Sequence, residues 1–127
     1  MMALSIAAGH DAGDIDLSNS NTVLTSGADA PALVGASRVL VWGELSDADA
    51  GNVTVSNAGG YTLASGAGST GIWAESLSQI GSAGTVNVDN TDGQLGVGFE
   101  TGDLIAGQAV YAVSSGSLNA GAVTIDN

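Results

Sequence analysis

The chain has 127 residues and no cysteine, and its single basic residue, Arg38, stands against 13 acidic residues, giving a formal net charge of −12. One arginine cannot build the basic cluster that nucleic acids or anionic membranes require, so we expect neither as a partner. The absence of cysteine excludes disulfide bonds and thiolate metal sites.

In chain order, the first predicted element is a strand over residues 3–7, in which the side chains alternate. The second covers residues 13–19 and has the pattern Gly, any residue, aliphatic, polar, aliphatic, Ser or Asp, Asn. This motif returns at residues 51–57, 84–90 and 121–127, so its glycines lie 38, 33 and 37 residues apart. A period in this range is typical of repeat architectures.

Within each motif the two aliphatic residues lie on one side of a strand and the polar residues on the other. The final asparagine follows the second aliphatic residue by two positions and therefore falls on the buried side. We expect the four asparagines to stack as a corner ladder in which each amide bonds the next. Four ordinary turn asparagines are the alternative. The ladder residues are Asn19, Asn57, Asn90 and Asn127.

Two further strands complete each repeat. A short strand over residues 22–27 matches residues 61–66, and residues 95–102 take its place in the last repeat. A third strand is clearest at residues 71–76; its last copy covers residues 109–114, and residues 3–7 resemble its first copy. In the second repeat it has two possible registers, over residues 32–37 or over Val41–Glu44. We favour the first because the steps from Gly27 to Leu33 and from Gly66 to Ile72 are both six residues; residues 38–45 then form an inserted strand or an excursion.

Together these elements predict an all-β fold, a right-handed parallel β-helix (β-solenoid) of about 3.5 sequence repeats of 33–38 residues. It forms a single domain, 1–127, with repeats at approximately 1–19, 20–57, 58–90 and 91–127. Stacking equivalent strands would bury a narrow aliphatic core with Ala and Gly filling gaps. An antiparallel sandwich also has short strands but does not account for the repeated pattern. Whether one repeat forms one large coil or two smaller ones stays open.

Catalytic, metal-binding and cofactor-binding patterns are missing from the sequence. The lone histidine, His10, lies in a Gly/Asp turn, and no Ser-His-acid set can be assembled. The oxygen-rich stretches at 11–16, 47–49 and 89–93 lack the spacing of known calcium loops and are interpreted as solvated corners. We therefore expect no enzyme, no metal and no cofactor. A polysaccharide-acting β-helix enzyme is an unfavoured alternative, since one arginine poorly suits anionic sugars and no carboxylate pair stands out.

Aromatic residues on the third strand are the candidate recognition site. Trp73 and Glu75 lie two apart in a strand and face the same way, and an unpaired Glu in an apolar core would be costly. Both are therefore expected to face solvent, and Trp42 with Glu44 follows the same argument. An exposed aromatic column of Trp42, Trp73 and Tyr111 would suit stacking on sugar rings or on a protein partner. The alternative is rim aromatics that cover a loop.

Residues 62–76 followed by 84–90 resemble the passenger repeats of bacterial type V autotransporters. Those repeats run as a Thr-Ser-Gly turn, Gly-Ile-aromatic-Ala-polar-Ser, a glycine run and Gly-x-Val-x-Val-x-Asn. The resemblance covers most of residues 3–127, but this sequence lacks the long glycine run after Ser76, a signal peptide and a C-terminal membrane barrel. It implies a surface-displayed or released stalk that serves adhesion or aggregation, and it carries over no catalytic residue.

The sequence thus predicts a non-catalytic, extracellular, structural or adhesive β-solenoid, secreted or on a bacterial cell surface, with a glycan or host-surface partner. The alternative is a self-associating filament subunit that stacks end to end through uncapped ends. No apolar stretch is long enough for membrane insertion by this segment.

Overall fold

The computed structural model of the chain describes residues 1–41, 47–97, 99–100, 103–104 and 108–127. These residues contain thirteen β-strands and no helix. The strands are β1 Met2–Ala8, β2 Ile15–Ser18, β3 Thr22–Thr25, β4 Leu33–Leu40, β5 Val53–Ser56, β6 Tyr61–Ala64, β7 Thr70–Ser78, β8 Val86–Asp89, β9 Gln94–Val97, β10 Phe99–Glu100, β11 Asp103–Leu104, β12 Gln108–Gly116 and β13 Val123–Asp126.

Three parallel sheets account for eleven of these strands. The A sheet has the order β1-β4-β7-β12, the B sheet β2-β5-β8-β13 and the C sheet β3-β6-β9. Every pairing within them is parallel, whereas β10 and β11 form a separate antiparallel pair. Each of the three full repeats contributes one strand to each sheet, in the order C, A, B. The predicted all-β fold with stacked parallel strands is confirmed, and the alternative prediction of an antiparallel sandwich is wrong.

The register of the A sheet decides between the two alignments of the second repeat. Leu33 pairs with Ile72, as the six-residue step from the preceding glycine predicted. Val34 is consequently the partner of Trp73. The predicted inserted strand is wrong at its start, because residues 38–40 continue β4 and pair with β7 or β1. The remainder of that stretch, 42–46, lies outside the described residues.

Small aliphatic side chains from the A and B sheets fill the core, as the alternation predicted. The motif aliphatics of β2, β5 and β8 are buried against inward residues of β4 and β7. Gly35 marks a narrow point, since a Cβ built there would lie 2.8 Å from Val55 Cγ2. The largest core cluster contains Ile15, Leu17, Leu33, Val53, Val55, Ile72, Ala74, Val86 and Val88.

The glycine that opens each motif lies directly against the preceding repeat. A Cβ on Gly51 would lie 2.5 Å from the carbonyl carbon of Gly13, and a Cβ on Gly84 would lie 2.6 Å from that of Gly51. Backbone atoms at this distance leave no room for a side chain. At Gly13 itself, the nearest atom to a built Cβ is Ser5 Oγ at 3.6 Å, an ordinary contact.

Gly51→Ala is therefore expected to destabilise the fold, whereas the same change at Gly13 should be tolerated. Overpacking against backbone costs about 1–3 kcal/mol, because the repeats must separate locally. Urea unfolding followed by circular dichroism measures both variants. Equal losses of unfolding free energy in the two variants would show that close approach is not the reason for the glycine.

Candidate functional site

The outward side of the A sheet carries an unusual set of side chains, which we call the outer A face. Its residues alternate with the buried Ile72 and Ala74 of β7 and with their register partners on the other strands. In chain order the outer A face contains Met2, Leu4, Ile6, Val34, Ala36, Arg38, Leu40, Trp73, Glu75, Leu77, Tyr111 and Val113.

Two of the three predicted aromatic site residues meet on this face. Tyr111 of β12 is the register partner of Trp73 of β7. Their ring centroids lie 4.3 Å apart with the planes inclined by 37°. Both side chains are half-buried, so the pair presents part of its ring surface to solvent. The third predicted member, Trp42, lies outside the described residues.

Glu75 does not behave as predicted. It points away from the core, on the side opposite Ala74, but it is only 6% exposed. The expectation of a solvated carboxylate is wrong, because it assumed a glutamate without a partner. Arg38 on the neighbouring strand donates from Nη2 to Glu75 Oε2 at 2.9 Å, and Trp73 Nε1 donates to the same oxygen at 3.1 Å. The carboxylate is thus paired with Arg38 and accepts a hydrogen bond from the Trp73 indole.

Arg38 and Glu75 approach each other at a second pair of atoms besides the hydrogen bond. Arg38 Nε lies 2.8 Å from Glu75 Oε1, yet its N–H is not aimed well enough at that oxygen to make a hydrogen bond. The ion pair therefore rests on one good hydrogen bond plus close charge proximity. Arg38 is the only Lys or Arg of the chain, and its charge is paired with Glu75 on the outer A face.

The outer side of the B sheet has the opposite character. Its central row pairs Asp16, Thr54, Asn87 and Thr124 across the four strands. Other exposed carboxylates, such as Asp11 and Asp49, lie in the corners before these strands. Two faces of the same molecule thus differ sharply, one largely apolar with a single compensated ion pair and one polar and acidic.

The four motif asparagines form a continuous row at the corner after the B sheet. Asn19 Nδ2 donates to Asn57 Oδ1, Asn57 Nδ2 to Asn90 Oδ1, and Asn90 Nδ2 to Asn127 Oδ1, each at 2.7 Å. The first three are at most 5% exposed. Gly60 follows Asn57 by three residues, and a Cβ there would collide with the bond between Asn19 and Asn57.

A second row consists of serines, and the sequence patterns above do not predict it. Ser37 Oγ accepts the Gly51 N–H at 2.9 Å and donates to the Gly13 carbonyl at 2.9 Å. Ser76 links Gly84 to Gly51 in the same way. A signal for the row does exist, because a serine recurs at equivalent positions of the third strand. The row consists of Ser5, Ser37, Ser76 and Ser114.

The acidic corners bind backbone groups of the next repeat. Asp11 Oδ1 accepts the Asp49 N–H at 2.9 Å, and Asp49 Oδ1 accepts the Ser82 N–H at 2.7 Å. At Asp89, hydrogen bonds from the Thr91 N–H and hydroxyl lower the pKa of the carboxyl group.

Over the described ranges, no three acidic or histidine side chains are grouped so that they could hold a metal ion. The same part of the chain contains no helix suited to crossing a membrane.

Comparisons with protein-family models, with curated proteins and with solved structures found no match to this chain.

Proposed function

We propose that this chain is a non-catalytic structural and adhesive segment, built as a right-handed β-solenoid and displayed on a bacterial cell surface or secreted. Its support is the order of the strands: successive repeats add strands to the same three parallel sheets, with paired residues 32–39 positions apart in the sequence. The resemblance of residues 62–76 and 84–90 to autotransporter passenger repeats favours the same class of stalk.

The observation that carries the adhesive part is the Trp73–Tyr111 pair. Adjoining aromatic rings on a sheet, half-open to solvent, offer a surface on which sugar rings stack through their C–H faces. The ion pair beside it fixes the Trp73 indole through its Nε1 hydrogen bond to Glu75. Fixing the ring in advance reduces the ordering cost of binding. Because Arg38 is already engaged, a neutral glycan fits this surface better than a strongly anionic one.

Trp73→Ala and Tyr111→Ala are each expected to weaken glycan binding by at least about tenfold, because each removes half of the aromatic surface. The measurement is a panel of neutral and anionic glycans probed with the native chain and the variants. Tyr61→Ala is the matched control, since Tyr61 is 40% exposed but lies on the C sheet.

Two results would contradict this adhesive role. One is a native chain that binds nothing on the panel. The other is binding that the Trp73 and Tyr111 variants retain, or that Tyr61→Ala loses to the same extent. Circular dichroism of each variant separates lost binding from lost folding.

A further inference from the structure

The outer A face leaves large aliphatic side chains in water at the edge formed by β1. Met2 is 68% exposed, Leu4 45% and Ile6 54%. Along the neighbouring strands, Val34, Leu40, Leu77 and Val113 are half-buried and continue the same apolar surface. Exposed apolar surface that continues over neighbouring strands is a candidate interaction site.

The charge distribution of the chain indicates which kind of molecule can pack on the outer A face. With a net charge of −12, two copies of this chain repel each other over most approaches. On the described part of the outer A face the only charged side chains are Arg38 and Glu75, and they compensate each other. This face is therefore the one on which a like-charged copy can approach without opposing carboxylates. A basic partner would instead be attracted to the acidic B-sheet side and its corners.

We propose that a second copy of this chain packs on the outer A face, sheet against sheet, and forms a closed twofold dimer. A twofold contact uses the same patch on both copies and is self-limiting. Sheets that pack face to face lie about 10 Å apart and interdigitate their side chains. The exposed Met2, Leu4 and Ile6 are long enough to fill that space.

The area of the face sets the expected strength. Four strands about 4.8 Å apart and about seven residues long give roughly 400 Å² per copy before surface roughness is added. The two copies together then bury roughly 800 Å², which is below the roughly 1,200–2,000 Å² of stable specific interfaces and in the range of weak, transient ones. We therefore expect a reversible dimer that depends on protein concentration.

The inference rests on the proposed fold and uses the same sheet as the proposed adhesive site, but the two can be tested separately. Ile6 lies on β1, whereas Trp73 and Tyr111 lie on β7 and β12 at the other side of the A sheet. Ile6→Lys adds a charge to the dimer surface beside its register partner Arg38 and changes neither aromatic residue. Leu24→Lys is the matched control, because Leu24 is 65% exposed on β3 of the C sheet.

Sedimentation velocity from about 1 µM to about 1 mM protein measures the association, a range that covers weak and moderate dimers. We expect the native chain and Leu24→Lys to shift from monomer to dimer, and Ile6→Lys to raise the dissociation constant at least about tenfold. Added salt should strengthen the native dimer, because it screens repulsion between acidic copies. A dimer held by bonds between Arg38 and a partner carboxylate would weaken instead, and that result would contradict apolar packing.

A second measurement covers the case in which a variant fails to fold. Since the chain has no cysteine, Leu4→Cys and Leu24→Cys each carry a single thiol for a bismaleimide cross-linker. Dimers linked through Leu4→Cys but not through Leu24→Cys would support packing on the outer A face. A native chain that stays monomeric throughout would overturn the dimer, and so would assemblies larger than a dimer that Ile6→Lys leaves intact, since these indicate end-to-end stacking. Glycan binding by the Ile6→Lys monomer would remain a valid test of adhesion in either case.

Discussion

Asn57→Asp is expected to lower the unfolding free energy by about 3–5 kcal/mol at neutral pH, since it places an unpaired charge among buried acceptors. The Asn57 side chain is fully buried and donates to Asn90 Oδ1 at 2.7 Å and to the Gly60 carbonyl at 3.3 Å. A carboxylate has no hydrogen to donate, so both acceptors would face negative oxygen. Only the bond from Asn19 Nδ2 would survive.

The pH dependence of this variant has a definite sign. Burial favours the neutral acid, so the introduced carboxyl has a pKa in the folded state above its unfolded value of about 3.9. The penalty relative to the native chain is therefore largest above the folded pKa, shrinks as the pH falls through it, and is smallest below the unfolded pKa. The protonated acid can again donate to Asn90.

Asn127→Asp is the matched control for the same chemical change. Asn127 is exposed and only accepts a hydrogen bond, from Asn90 Nδ2, which a carboxylate does equally well. Urea unfolding of both variants at several pH values tests the pair of expectations. Similar losses at Asn57 and Asn127, or a loss at Asn57 that does not depend on pH, would contradict the burial of an unpaired charge as the cause.

Arg38→Met should destabilise the chain by about 2–3 kcal/mol, because it leaves the Glu75 carboxylate buried without its cation. The expected loss is below the full cost of breaking a completely buried pair, because the Arg38 side chain is 36% exposed. The remaining Trp73 Nε1 hydrogen bond compensates only part of the charge.

The double variant Arg38→Met/Glu75→Gln should recover most of that stability. Removing both charges removes the uncompensated carboxylate, and the glutamine oxygen still accepts the Trp73 N–H. Urea unfolding of the native chain, both single variants and the double variant gives the coupling free energy directly. Additive losses would show that the ion pair has no net coupling.

Much of the fold could be predicted from the sequence because the same strand pattern recurs in each repeat. The motif aliphatics, such as Val53 and Val55, alternate with polar residues, and period 2 assigns their sides without any tertiary information. The asparagine falls on the same parity, which placed Asn57 inside. The six-residue step from Gly27 to Leu33 indicated the strand register, and the structure pairs Leu33 with Ile72.

The candidate site was harder to predict from the sequence, because its contacts join residues on different strands and depend on the register between those strands. The alternation of side chains along the strand correctly predicted that Glu75 points away from the core. Its burial, however, depends on Arg38, which lies on another strand, 37 residues away in sequence. The serine row was missed for a related reason. A single serine in a strand is uninformative, and only the stacking of Ser37 and Ser76 beside the motif glycines gives it a role.

The position of Arg38 also allows local unfolding of the A sheet to be detected by proteolysis. Trypsin cuts after lysine and arginine, so this protein contains one cleavage site, in the middle of the A sheet between β1 and β7. Its neighbours Ser37 and Val39 are fully buried. Cleavage into 1–38 and 39–127 therefore requires β4 to leave the sheet, and under brief exposure to protease its extent follows the population of opened molecules.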